Sequence, residues 1–171
     1  ASNIASTSAQ LNGNLDSLGS ASSCDVWFVY DTTSHTSWQD YTMETTHTST
    51  TSTGSFSDSI SGLNDDTTYY YRAVASSSDG TAQGSEASFT TVANALPTAD
   101  FSFNPTEPGV GESVSFTDQS SDSDGDIVNW TWAMGDGTTS YEQHPTHSYG
   151  SADTYTVQLT VQDDLGDTDT T

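Results

Sequence analysis

Hydrophobic and polar residues alternate along much of this chain. The runs "DVWFVY" at 25–30, "TTYYYRAVAS" at 67–76, "ADFSFN" at 99–104 and "YTVQLTVQD" at 155–163 are examples. A period of two is typical of half-buried β-strands. No segment keeps the period of an amphipathic helix, and none is apolar over a length that could span a membrane. The pattern therefore predicts an all-β chain.

Turn residues and one proline divide these strands into two groups. In the first group we expect strands near 9–15, 25–31, 37–43, 55–60, 67–76 and 86–92, with turns at Asn12-Gly13, 78–80 and Gly84. Short strands at this spacing are typical of a sandwich. In "TTVANALPTAD", Pro97 cannot donate a ladder hydrogen bond and stiffens the chain. We predict a sandwich over 1–92, a linker over 93–97, and a second sandwich over 98–171 whose final strand is incomplete.

The charge balance narrows the classes of partner. The chain has 24 acidic residues and a single cationic one, Arg72, for a formal net charge of -23. Such a surface repels phosphate backbones and anionic lipids, so we exclude nucleic-acid and membrane-surface binding. The same charge opposes a compact state in dilute buffer, whereas molar salt shortens the Debye length to about 3 Å. We therefore expect that the protein comes from an extreme halophile. The alternative is a disordered chain, which the regular alternation of aromatic residues disfavours.

The first half resembles a fibronectin type III domain. The resemblance covers residues 1–92 and rests on "LNDDTTYYYRAVA", in which the tyrosines follow the spacing of the corner that opens the sixth strand of immunoglobulin-like folds. The family pattern implies an earlier first strand, so we expect one edge of this module to be missing.

The second half resembles a polycystic kidney disease (PKD) repeat. The matching segments are "PTADFSFNP", "GESVSFTDQSSDSDGDIVNWTWAMGDG", "HPTHSY" and "GSADTYTVQLTVQDDLGDTDTT". Met134 stands where the family usually has phenylalanine, a volume-conserving change. Together the two resemblances imply tandem immunoglobulin-like β-sandwiches.

One aspartate lies between two glycines in "WAMGDGTTS". Glycine supplies the positive φ of a tight turn, and aspartate bonds its own backbone there, so Asp136 is predicted to shape a turn. A metal-binding or catalytic role would need a second converging group. Trp132 is expected to face the core with its indole N–H on a buried acceptor.

The segment "SDSDGD" is the better candidate for a metal site. Asp122, Asp124 and Asp126 have a spacing that lets a curling loop direct several oxygens at one hard cation, although the loop lacks the glycine and glutamate of an EF-hand. Some PKD repeats bind calcium, and the resemblance implies a calcium site made of Asp122, Asp124, Asp163 and Asn94. The alternative is composition alone, because the chain has 19 aspartates.

Two strands of the first module are expected to share an outer apolar patch. If "DVWFVY" and "YYYRAVA" are neighbours, alternation directs five side chains outward around the only cation. They are Trp27, Val29, Tyr70, Arg72 and Val74. We predict either cross-strand pairing with a stacked arginine or an interface for a neighbouring domain or subunit. In the second case Trp27→Ala should preserve folding and abolish assembly.

Other candidate sites are weaker. Asn129-Trp130-Thr131 is a glycosylation sequon on the outward phase of its strand, so Asn129 is a predicted glycosylation site. His144 and His147 flank a proline without any assisting thiolate, which disfavours zinc. No nucleophile elbow, phosphate loop or recognisable catalytic pair is present, so we predict no enzymatic activity. Cys24 is the only cysteine and cannot form an internal disulfide.

These features favour an extracellular module that is structural or adhesive. We expect a cell-surface fibre, spike, pilus or cell-wall component of a halophile that contacts neighbouring domains or subunits, and the pattern leaves a homo-oligomer or filament open. The alternatives are an accessory region of a secreted hydrolase and a part of a virion spike. Either would place the module outside the cell or on a virion surface.

Overall fold

The computed structural model describes all 171 residues, and nearly all of its regular structure is β-strand. The chain divides into a first unit, Ala1–Ala93, and a second unit, Asn94–Thr171. Each unit consists of two antiparallel sheets that enclose a hydrophobic core. The prediction of an all-β chain with two successive immunoglobulin-like sandwiches is confirmed. No helix is long and apolar enough to cross a membrane.

The first unit contains eight strands and one short 3-10 helix, Trp38–Asp40. The strands are β1 Ser8–Leu15, β2 Cys24–Asp31, β3 Met43–Glu44, β4 Thr48–Thr50, β5 Gly54–Ser61, β6 Thr68–Ser77, β7 Gly80–Gln83 and β8 Ala87–Thr90. Strands β1 and β5 form one sheet. In the other sheet β2 and β6 are central, with β3 and β4 beside β2, and β7 and β8 beside β6.

The core of the first unit follows the predicted alternation. Phe28, Tyr69 and Tyr71 are buried with aliphatic side chains from β1 and β5. At the predicted corner, the Tyr69 hydroxyl accepts a hydrogen bond from the Asn64 backbone N–H at 3.0 Å. This bond fixes the turn that leads into β6.

Two details of the first unit differ from the sequence predictions. Residues 37–43 do not form one strand, because Ser37 caps the short 3-10 helix, and only Met43 of this range belongs to a strand, β3. Asn12-Gly13 is not a turn but lies inside β1. A Cβ at Gly13 would lie 2.9 Å from the Phe56 ring and 3.2 Å from the Ala73 Cβ. Glycine is used here for close packing within a strand.

The second unit contains seven strands. They are β9 Phe101–Asn104, β10 Ser113–Asp118, β11 Ile127–Ala133, β12 Thr139–Ser140, β13 Thr146–Ser148, β14 Gln158–Asp163 and β15 Thr168–Thr170. One sheet has the order β13-β10-β9 and the other β12-β11-β14-β15. The core surrounds the fully buried Trp132, whose indole N–H donates to the Glu142 carbonyl at 2.9 Å, as predicted.

Candidate functional site

The predicted outer patch of the first unit is covered by the chain itself. Trp27, Val29 and Val74 do face away from the main core, but their exposed fractions are only 4%, 2% and 1%. Trp38 and Tyr41 pack on them and form a second small core. The expectation that these three residues are exposed is therefore wrong. The covering segment, residues 32–42, is called the strap below.

Aromatic stacking completes the enclosure of Trp27. Its ring lies edge-on to Trp38 at a centroid distance of 5.6 Å and stacks on His47 at 4.0 Å. The indole N–H of Trp27 is buried and has no hydrogen-bond partner. Trp27 is therefore held by packing rather than by polar contacts.

A single glutamate fastens the strap. Glu86 accepts hydrogen bonds from the Tyr41 hydroxyl, from the Ser34 hydroxyl at 2.7 Å and from the His35 backbone N–H at 2.9 Å. These bonds, the Tyr41 bond first, lower the pKa of Glu86 to about 2. Burial and the neighbouring Glu86 raise the pKa of Tyr41 to about 12. Both groups therefore hold their bonded protonation states across the neutral range.

The only cation of the chain also serves the strap. Arg72 is half-buried and donates to the carbonyls of Gly84 and His35, each at 2.8 Å. It joins the strap to the segment that follows β7. Tyr70 is half-buried on the same strand. Of the five predicted interface residues, only Arg72 and Tyr70 keep partial exposure, so any interface on this face would have to include the strap.

The acidic loop of the second unit brings together part of the predicted cation set. Asn94 donates to the Asp163 carboxylate at 2.8 Å, and the Ala95 backbone N–H donates to Asp124 at 3.2 Å. Asp122 accepts from the Asp124 N–H with one oxygen, and its other oxygen is buried without a partner. No three acidic, histidine or cysteine side chains are grouped at metal-binding spacing.

Asp163, the last residue of β14, accepts the most hydrogen bonds of the predicted cation ligands. It is 1% exposed, and one of its oxygens accepts the backbone N–H groups of Leu165, Gly166 and Asp167 at 2.7–3.0 Å. Burial opposes ionisation, but the bonds from Asn94 and these N–H groups leave the pKa of Asp163 below its ordinary value. The hydrogen bonds of Asp163 are those of a residue that caps a turn. Asp122, which has one oxygen without a partner, is better suited than Asp163 to be a cation ligand.

The Asp136 carboxylate organises the turn between β11 and β12. One oxygen accepts from the Thr138 N–H at 3.0 Å and from its hydroxyl at 2.6 Å, and the other lies 2.8 Å from His147 Nε2. These contacts, the Thr138 hydroxyl first, hold the pKa of Asp136 well below its usual range. Gly135 and Gly137 both have positive φ. The histidine partner was not predicted, because residues 136 and 147 meet only through the fold.

An aromatic groove of about 350 Å³ opens beside β9. Phe101, Phe103 and Phe116 line it, and Phe103 is 45% exposed. Tyr149 and Tyr155 stack at a centroid distance of 4.1 Å and line the groove as well. The alternation in "ADFSFN" predicted a half-buried strand here, and the sequence held no signal that Tyr155 would join its phenylalanines at a surface.

The family model described as "PKD domain" matches residues 94–171, which is less than half of the chain. Residues 94–171 match the PKD domain. The predicted resemblance of the second module is thereby confirmed, and we call this part the PKD unit. The resemblance of the first unit to fibronectin type III domains stays a prediction.

Several known proteins contain similar sequence. The pre-pro-metalloprotease PrtV of Vibrio cholerae is 55% identical over 60 residues, which are 35% of this chain and 6% of that protein. A microbial collagenase of Vibrio alginolyticus is 44% identical over 78 residues, 45% of this chain and 10% of that protein. The chain thus matches only a small fraction of the length of these relatives.

One solved structure with sequence similarity is the PKD1 domain of Vibrio anguillarum Epp. It is 44% identical to this chain, and the alignment covers 46% of this chain and 88% of that one, with a TM-score of 0.41.

The predicted glycosylation site lies on an exposed strand of the PKD unit. Asn129 and Thr131 are both exposed. The Asn129 amide donates to the Gln162 side chain on β14 at 2.9 Å. A glycan would take the place of one of the two hydrogens on the Asn129 amide nitrogen, beside this cross-strand bond, and modification of Asn129 stays a prediction.

Proposed function

We propose that this chain is a non-catalytic extracellular segment of a larger protein, in which it holds and positions other domains. Support comes from the relatives, in which sequence like the PKD unit makes up 6–10% of a metalloprotease or collagenase. The carboxylates of the chain support it too. Asp31, Glu86, Asp136 and Asp163 are each occupied by hydroxyl, backbone N–H or side-chain donors rather than aimed together into a cleft.

The relatives favour an accessory region of a hydrolase over a surface fibre. An accessory region would increase the local concentration of a catalytic domain on its polymer, because linking two binding modules makes the second contact intramolecular. The aromatic groove of the PKD unit is the surface we assign to such a polymer. Its exposed Phe103 and stacked tyrosines offer rigid apolar area at low entropic cost.

Deletion of this segment from the complete polypeptide tests the proposal. We expect hydrolysis of a small soluble peptide to be unchanged and hydrolysis of an insoluble protein substrate to fall. A polypeptide without any catalytic domain would instead favour the surface-structural role. Within the isolated chain, Phe103→Ala should weaken sedimentation with insoluble collagen, and Tyr141→Ala, at a 75% exposed site outside the groove lining, is the matched control.

A halophilic setting is a further part of the proposal. It is supported by the net charge of -23 with one cation. We expect tertiary structure, followed by near-ultraviolet circular dichroism, to be lost as salt falls below the molar range. A melting temperature that does not depend on salt would contradict this part and leave the accessory role standing.

The proposal also includes calcium binding by the acidic loop, residues 121–126. The free oxygen of Asp122 beside Asp124 supports it, whereas Asp163 and Asn94 already bond each other. Calcium should raise the melting temperature of the PKD unit in high salt, and a chelator should reverse the shift. Asp122→Asn should abolish the shift, while Asp153→Asn, an exposed aspartate outside the loop, should preserve it. No shift for the unsubstituted protein would remove the site.

A further inference from the structure

We propose that the edge of β5 that faces away from β1 binds an extended segment of another polypeptide, which adds to the sheet as a further strand and places a basic side chain against Asp58. This edge is called the free edge below. The inference rests on its hydrogen-bonding groups, on a small cavity beside it and on the charge of Asp58. It does not depend on the proposed accessory role.

Strand β5 has a neighbouring strand on one side only. All eight of its residues pair with β1, and no other strand is hydrogen-bonded to it. Proteins usually protect exposed edges by keeping edge strands short or by using prolines and bulges. The edge strands of the other sheet, β3, β4, β7 and β8, are two to four residues long. Strand β5 is longer, contains no proline and pairs without a bulge, so its free edge can accept a further strand.

The serines of β5 direct their backbone groups toward the free edge. Gln10 of β1 exchanges two backbone hydrogen bonds with Ser2, at 2.9 and 2.8 Å, so its N–H and C=O point away from β5. Ser59 lies opposite Gln10, and in such a non-hydrogen-bonded antiparallel pair both residues direct these groups away from each other. The same holds for every second residue of β5. These residues are Ser55, Ser57, Ser59 and Ser61.

The side chains of β5 alternate between the two faces of the sheet. The serines are exposed, whereas Phe56 and Asp58 are half-buried and Ile60 is buried. A cavity of about 60 Å³ lies between β5 and β4, and its lining includes Phe28, Thr48, Phe56 and Asp58. Every second side chain of an added strand would point toward the same side as Phe56 and Asp58. The small volume of the cavity suits a short aliphatic side chain there.

Asp58 determines the charge of the segment that fits. It is the only ionisable residue of β5, and one of its oxygens accepts the Ser59 N–H at 2.9 Å. The residue of an added strand that lies opposite Asp58 has its side chain on the same face, where a basic group is favourable and an acidic group is repelled. The only cation among residues 1–171, Arg72, already donates to the Gly84 and His35 carbonyls. These residues therefore cannot supply the basic group.

The same carboxylate disfavours a second copy of this chain as the partner. Antiparallel pairing of two β5 edges would bring two Asp58 carboxylates onto one face of the new strand pair. Like charges in that position are destabilising, and each copy also carries a net charge of -23. A basic partner strand meets neither obstacle.

A short peptide with the matching pattern serves as the probe. Thr-Val-Thr-Lys-Thr-Val-Thr, capped at both ends, alternates hydroxyl and aliphatic side chains and keeps its lysine central in either strand direction. We expect saturable binding to the 171-residue chain in molar salt, measured by isothermal titration calorimetry. The dissociation constant should be on the order of 0.1 mM. The same peptide with glutamate in place of lysine should bind at least about tenfold more weakly.

Two pairs of variants test where the peptide binds. Ser57→Pro removes an N–H that faces the free edge and should weaken binding about tenfold, whereas Ser57→Ala keeps this N–H and should bind like the unsubstituted chain. Asp58→Asn should reduce the preference for the lysine peptide to less than about threefold. Asp40→Asn, at an exposed site in the strap, should leave that preference unchanged. This control separates the Asp58 contact from the general attraction of a cationic peptide to an acidic chain.

Amide hydrogen exchange of the unsubstituted chain gives a readout that needs no substitution. The N–H groups of Ser55, Ser57 and Ser61 should exchange quickly in the free chain and slowly with the lysine peptide bound. The Phe56 N–H points toward β1 and should be protected in both states.

Four results would each overturn the proposal. The first is a lysine peptide that does not bind, and the second is a folded Ser57→Pro protein that binds it as well as Ser57→Ala does. The third is exchange of the serine amides that the bound peptide does not slow. The fourth is protection of these amides by raised protein concentration alone, which would assign the free edge to a second copy of the chain.

Discussion

Replacement of Trp27 by alanine tests whether the strap is part of the folded core. An exposed docking residue could be removed without loss of stability. In the structure Trp27 is 4% exposed and is enclosed by Trp38 and His47. Removing a buried tryptophan costs about 3–5 kcal/mol. Its unpartnered indole N–H costs about 1 kcal/mol or more in the native protein, and Trp27→Ala would relieve that cost.

The expected destabilisation is therefore about 2–4 kcal/mol. For a unit of this size it corresponds to a fall in melting temperature of more than about 8 °C. Denaturant titration in high salt, with tryptophan fluorescence and far-ultraviolet circular dichroism as coincident probes, would measure it. Trp27→Phe keeps most of the packing and loses the orphan N–H, so its stability should change by less than about 1 kcal/mol.

The exposed Tyr141 supplies the control, since Tyr141→Ala should change stability by less than about 0.5 kcal/mol. If Trp27→Ala matched Tyr141→Ala, the strap would not cover Trp27 in solution, and the outer face would again be a candidate interface.

Three further predictions concern single contacts. The pKa of Asp136 is depressed, so the ionised carboxylate stabilises the folded protein above about pH 4, and this stabilisation is lost as the pH falls. In the Asp136→Asn variant the free energy of unfolding should therefore fall less steeply with decreasing pH. The Tyr41 pKa is raised to about 12, so the strap should loosen as the pH rises from about 10 toward 12. Tyr41→Phe should remove this alkaline transition, followed by tryptophan fluorescence. Gly135 has a φ of 83°, and its Cβ would lie 2.6 Å from the Thr156 carbonyl oxygen, so Gly135→Ala should destabilise by more than about 2 kcal/mol, measured by thermal melts. Gly137→Ala, with a φ of 92° and open space, should cost only the backbone strain of about 1–2 kcal/mol.

The strands were predictable because alternation reports which residues face a core. In β6 the buried Tyr69 and Tyr71 occupy the predicted phase. The "NG" signal failed because it specifies a turn only where the glycine is free to adopt a turn conformation. In β1, Gly13 is needed to admit the Phe56 ring. A local motif gave way to a contact between residues far apart in sequence.

The strap was missed although the sequence held a signal for it. Residues 26–29 of β2 form an unbroken apolar run and are all buried, which is the pattern of a strand covered on both faces. Alternation assigned Trp27 to solvent, because a period of two describes only one covered face. Trp38 and Tyr41 cover the outer face of β2, and they belong to a polar segment. These two aromatic residues, three positions apart, lie in the range 37–43 that was predicted as another strand.

The carboxylates illustrate how this chain manages its charge. With one arginine and no lysine, nearly all acidic groups lack a cationic partner. Glu86 and Asp163 instead accept hydrogen bonds from hydroxyl, amide and backbone N–H groups, which satisfy their oxygens without a counter-charge. Salt screens an ion pair but removes little from a short, partly buried hydrogen bond. We expect such a network to hold the strap and the turns at ionic strengths that weaken surface salt bridges. Added salt would then act mainly on the repulsion between the remaining surface carboxylates.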